Sequence, residues 1–122
     1  MSPVLLYSAS AILFVWGIAH IVPTPAIVRS FGKVSADNRK IILMEWVSEG
    51  LAMVFIGILV AAVEYRGGVD PVSPLVFKLC AGMVFVMALW TLFTGARNSI
   101  LPIKICPIVK TVCATLTWIG AA

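Results

Sequence analysis

The run IILMEWVSEGLAMVFIGILVAAV, residues 41–63, is broken by only two charges, Glu45 and Glu49. A helix needs about 20 mainly apolar residues to cross the hydrocarbon core of a bilayer, so this stretch is long enough to span one. Three others share its character: Val4–Val22, Leu75–Gly95 (interrupted by Lys78) and Leu101–Ala122 (interrupted by Lys104 and Lys110). None alternates with the period of two that marks a membrane barrel. Inside lipid the backbone must satisfy its own hydrogen bonds, which helices do. The expected fold is all-α, a four-helix transmembrane bundle forming a single integral membrane domain over residues 1–122. Its spans fall at about 4–22, 41–63, 75–95 and 101–122.

Composition agrees. The 122 residues are 61% hydrophobic and 11% charged, and the mean hydropathy is +1.09. Soluble domains run about 45–50% apolar and about 25% charged, and a water-soluble globule of this size could not hide so much apolar surface. Disorder and a disulfide scaffold are excluded on the same grounds. Nine Lys and Arg against five Asp and Glu give a net charge of +4. These charges are scattered and form no phosphate-binding stripe, so nucleic acid is not an expected partner.

The connections carry breakers and caps. Pro23 and Pro25 should stop the first helix, because proline lacks the amide hydrogen and restricts its predecessor. Ser35, Asp37 and Asn38 are N-cap candidates for the second helix, and Gly67 and Gly68 should end it. Ser73 followed by Pro74 reads as N-cap and first residue of the third. Pro107 should kink the fourth helix or delay its start. Ile27, Val28, Arg29 and Phe31 could lie along the membrane surface. The first apolar run lacks a positive leading region and is long for a secretion signal, so it reads as a retained span.

Lys and Arg counts in short loops set orientation. The first loop holds Arg29, Lys33, Arg39 and Lys40; the third holds Arg97, with Lys104 just beyond; the second holds only Arg66. Loops one and three are expected on the cytoplasmic side, and both termini on the non-cytoplasmic side, in what reads as a prokaryotic cell membrane.

Ionisable groups within spans are costly and usually face a bundle interior or a wet cavity. Glu45 and Glu49, four residues apart, stand on one helix face, roughly 8 and 14 Å beyond Lys40 by helical rise. Two like charges so placed repel, and at least one should find a cationic partner. Glu45 either snorkels to the interface or joins Glu49; Glu49 lies past the headgroups. His20, the only histidine, is expected at the level of Glu45 with Trp16 one turn away. It reads either as a histidine making one hydrogen bond or as a proton-relay or ligand residue. Lys110 shares a face with Cys106, Cys113 and Thr117, and Glu49 is its obvious counter-charge. Lys78 and Lys104 are expected to snorkel.

Cys80, Met83, Met87, Thr91 and Thr94 fall on one stripe of the third helix, which reads as packing or as a polarizable wall. Gly50, Gly57 and Ala61 form a small-residue face that lets a neighbouring helix approach closely. Trp46 and Trp118 fit belt positions at the two interfaces. The cysteines have neither the number nor the spacing of a metal or iron–sulfur site, so no metal is expected. No motif specifies a cofactor or a catalytic residue.

Trp16-Gly17-Ile18-Ala19-His20, then Pro23 and Pro25, then Phe31-Gly32, resembles the first span and following loop of DoxX-like small membrane proteins. Glu49-Gly50 followed by Phe55-Ile56-Gly57-Ile58-Leu59 looks like their next helix. The resemblance covers the first half of the chain and implies a four-helix bundle. Some such proteins are associated with membrane sulfur or quinone redox systems. Only His20 and Glu49 carry over.

Together these residues point to a polar pocket in the cytoplasmic half, lined by His20, Glu45, Glu49 and Lys110, with Trp16, Met53, Met83, Met87, Thr91 and Cys106 as further lining. Convergent polar groups in an apolar wall suit a lipophilic small molecule such as a quinone or lipid, bound by a homo-oligomer or by an accessory subunit of a membrane complex. Two rivals stand beside this reading. One is a dimeric proton- or cation-coupled transporter with Glu49 as coupling carboxylate. The other is a membrane enzyme using His20 with Glu45 and Glu49 as acid–base groups or metal ligands.

Overall fold

The computed structural model describes residues 1–67 and 70–122. Its long helices are α1 (Pro3–Ile21), α3 (Ala36–Tyr65), α4 (Val72–Phe93) and α5 (Leu101–Gly120), with a seven-residue helix α2 (Thr24–Ser30) between the first two. No strand occurs among the described residues. All four long helices are apolar and long enough to cross a membrane. At about 1.5 Å per residue, α1, α4 and α5 are each roughly 30 Å long, matching a hydrocarbon core, and α3 reaches about 45 Å.

Sequence punctuation sets most of the helix ends. The Ser35 hydroxyl accepts from the Asn38 amide at 3.1 Å and caps α3. Gly67 donates to the Glu64 carbonyl at 2.9 Å and adopts a φ of 102°, the left-handed turn that commonly follows a helix. Gly68, the other expected terminator, lies outside the described residues. The start of α4 differs from expectation. Asp70, not Ser73, supplies the cap, its Oδ1 accepting from Val72 N at 2.8 Å and Ser73 N at 3.1 Å. A carboxylate two residues ahead of the helix can reach two free amides at once, where a serine in the first turn cannot. Pro107 does not delay the start of α5, which runs continuously from Leu101 with the proline inside it. Ile27, Val28 and Arg29 of the expected surface stretch lie in α2, which packs against α3 and buries Thr24 and Val28, and Phe31 follows the helix as its C-cap.

Helix α1 packs chiefly on α3, α4 on α5, and α1 also on α5, while α3 and α4 touch only lightly. Small residues set the α1–α3 distance. A β-carbon placed on Gly57 would sit 2.8 Å from the Ser10 carbonyl, and one on Gly17 2.8 Å from the Gly50 carbonyl. Backbone this close leaves room for nothing larger. The Ser10 hydroxyl donates to the Gly57 carbonyl at 2.6 Å across the same contact. The Ser2 amide donates to the Gly120 carbonyl at 2.8 Å, so the start of α1 and the end of α5 lie at one end of the bundle.

Leu6, Leu13, Met53, Val60, Phe77, Val84 and Cys113 form the buried core. The outer surface is apolar on every long helix, with Val15, Phe55, Leu79, Trp90 and Ile108 all more than half exposed. Water would not tolerate such a coat, whereas lipid requires it. The chain is an integral multi-pass membrane protein in contact with the bilayer.

Candidate functional site

Away from the Ser2–Gly120 end, each long helix sends polar or aromatic side chains inward. Lys110 on α5 has no exposed side-chain surface. It follows Cys106 by one turn and precedes Cys113 and Thr117 on the same inner stripe, and all four are buried. An ammonium group in such a place must be paired and hydrogen-bonded. Lys110 Nζ forms an ion pair with Glu49 Oε1 of α3 and donates to the Thr91 hydroxyl of α4 at 2.8 Å. Thr91 in turn donates to the Met87 carbonyl at 2.8 Å. Its single hydroxyl proton is thereby used, and its 3.4 Å separation from Glu49 Oε1 is proximity.

The second Glu49 oxygen faces His20 of α1, with Nε2 to Oε2 at 3.7 Å. That is beyond hydrogen-bond length, and His20 Nε2 is buried without a hydrogen-bond partner. The imidazole is held from its other side. It stacks on the Trp46 indole, centroids 4.1 Å apart and planes 15° from parallel, and the Trp46 Nε1 donates to the His20 carbonyl at 2.9 Å. Trp16, one turn before His20, donates from its indole to Cys106 Sγ at 3.3 Å. The Glu49 side chain is 31% exposed, against 9% for His20 and 0% for Lys110. Glu49 is therefore the member of the cluster that reaches its surroundings.

Of the residues expected at the site, His20, Glu49, Lys110, Trp16, Thr91, Met87 and Cys106 come together. Glu45 and Met83 do not, and Met53 joins the apolar core. Glu45 is exposed and makes no ion pair or hydrogen bond among the described residues. It shares a face with Glu49, but near the start of an overlong helix that face looks outward. Met83 is 53% exposed. The inner stripe of α4 runs through Phe77, Ala81, Val84, Ala88 and Thr91, which turns Met83 toward lipid. Within the cluster Lys110 is enclosed while Glu49 is partly exposed, and two apolar surface grooves elsewhere are lined by other residues. Trp46, an expected interface residue, holds His20 by stacking and by its bond to the His20 carbonyl. Its position three residues before Glu49, on the same helix face, is the signal that could have placed it there.

Among the described residues no three His, Cys, Asp or Glu side chains come together to hold a metal ion. Cys80, Cys106 and Cys113 are free and buried. What the arrangement offers is a carboxylate between a buried ammonium and an imidazole, the chemistry of proton exchange or of hydrogen bonding to a polar group. No family model, curated protein or solved structure matches the chain, and its four-helix membrane architecture rests on its own sequence and geometry.

Proposed function

We propose that the protein binds the polar end of a lipophilic small molecule, a quinone or a lipid, at the cluster of His20, Glu49 and Lys110. One observation carries this reading: His20 Nε2 is buried without a partner, beside a carboxylate whose other oxygen is held by Lys110. A buried polar atom left unsatisfied is costly, and a ligand carbonyl or hydroxyl would supply the missing bond. Glu49, partly exposed, marks the side from which a ligand arrives. An imidazole next to a carboxylate also suits exchange of a proton with the bound group. The excess of Lys and Arg in the first loop supports placing this end of the bundle on the cytoplasmic side.

The test uses protein in phosphatidylcholine nanodiscs titrated with a short-chain ubiquinone analogue, read by tryptophan fluorescence. Trp16 and Trp46 border the cluster, so quenching should saturate, and His20→Ala and Glu49→Gln should each abolish the saturable part. Linear quenching of equal slope in all three proteins would overturn the reading.

The partial exposure of Glu49 between two buried partners favours one second reading, coupling of a proton to cation transport. Proteoliposomes loaded with a pH dye should then acidify or alkalinise on a cation gradient, with no response in Glu49→Gln.

A further inference from the structure

Between α4 and α5, toward the Ser2–Gly120 end, lies an apolar groove of about 290 Å³, formed by Ala81, Gly82 and Phe85 of α4 and Ala114, Thr115 and Trp118 of α5. Its floor is open at Gly82, where an added β-carbon would meet nothing within 4 Å. Beside the groove stands Lys78, one turn before Gly82 on the same helix face. Its ammonium lies over the Trp118 ring, 5.8 Å from the centroid. Lys78 is exposed and has no carboxylate partner among the described ion pairs. Thirteen residues of helix separate it from Thr91, about 20 Å along the axis, so this place is distinct from the cluster.

We propose that this groove is a binding site for an anionic phospholipid, its acyl chain lying along Gly82 and Phe85 and its phosphate paired with Lys78. Three features argue for this occupant. The groove opens onto the bilayer, where acyl chains are the solvent. Lys78 is a cation with no anion of its own at the headgroup end of the groove. Trp118 supplies the amphipathic ring that sits at headgroup level and holds the ammonium in place. A zwitterionic lipid would fill the groove equally well but would gain less from the unpaired charge.

Quenching by brominated lipids tests this in vesicles of phosphatidylcholine doped with equal fractions of either brominated phosphatidylglycerol or brominated phosphatidylcholine. The contribution of Trp118 is isolated by subtracting the Trp118→Phe protein. One basic residue near an anionic surface should enrich the brominated phosphatidylglycerol at Trp118 about fivefold over the brominated phosphatidylcholine. Lys78→Gln should equalise the two lipids. Gly82→Leu, which fills the groove from a position where a β-carbon meets nothing within 4 Å, should lower quenching by both. Equal Trp118 quenching by the two lipids in the unmodified protein would overturn the proposal, whatever the variants do.

Discussion

Where α1 and α5 begin and end together, Leu6, Val60, Phe77 and Cys113 join the four helices through apolar contacts, whereas beyond Leu13 they are joined through His20, Glu49, Thr91 and Lys110. The two halves obey different rules. In lipid, apolar helices gain nothing from hiding from their solvent, because the tails are equally apolar. The apolar half therefore depends on fit, above all on the backbone contact of Gly57 with Ser10. The polar half depends on completeness around Lys110: its ammonium is held because Glu49 and Thr91 are present, and removing Glu49 strands it in a place without water. Fit degrades gradually, while completeness fails at once.

Breaking the polar half should cost most. Glu49→Leu leaves Lys110 wholly enclosed without its counter-charge and is expected to destabilise the bundle by about 3–5 kcal/mol, read by detergent-titrated unfolding. The double variant Glu49→Leu with Lys110→Met removes both charges and should recover most of that loss. A double variant as unstable as the single would mean that the pair is not what joins these helices. In the apolar half, Gly57→Val forces a branched side chain against the Ser10 carbonyl and should cost about 1–3 kcal/mol. Gly82→Ala, facing open space, should leave the melting temperature unchanged or slightly raised. Equal effects at the two glycines would erase the role assigned to close approach.

The smallest effect lies outside both halves. The Val72 amide, followed by the amide and hydroxyl of Ser73, holds the Asp70 carboxyl below its ordinary value. A lowered acid contributes stability above its unfolded value and loses it as pH falls through the folded one. Melting temperatures measured down through about pH 4 should therefore fall slightly less steeply for Asp70→Asn than for the unmodified protein. A steeper acid limb in Asp70→Asn would contradict the cap.

The sequence made the four helices legible because lipid imposes a coarse rule, a long apolar run, that local context cannot override. The Glu49–Lys110 pair was legible for a related reason: a charge in such a run must find its opposite, and few were on offer. Glu45 and Met83 show where that reasoning stops. Helical spacing tells which residues of one helix share a face, but not which way the face turns. That rotation is fixed between helices: for α3 by its Gly17–Gly50 and Ser10–Gly57 contacts with α1, and for α4 by its packing on α5, which buries Ala81, Val84 and Ala88 and leaves Met83 outward. Trp46 escaped for the opposite reason. Its plausible role at the interface hid a more specific one, stacking on His20, which depends on where α1 lies against α3.

The length of α3 has a consequence of its own. At about 45 Å it exceeds the bilayer's hydrocarbon thickness, and its leading turns carry Asp37, Arg39 and Lys40. Those charges stay with the headgroups, and Glu49 hangs from them by nine residues of stiff helix, about 14 Å. Helix α3 thus works as a depth gauge. Because those charges hold the near headgroup boundary in place, a thinner membrane is met by tilt or exposure at the far end of α3, and the depth of Glu49 is set by the chain rather than by the lipid.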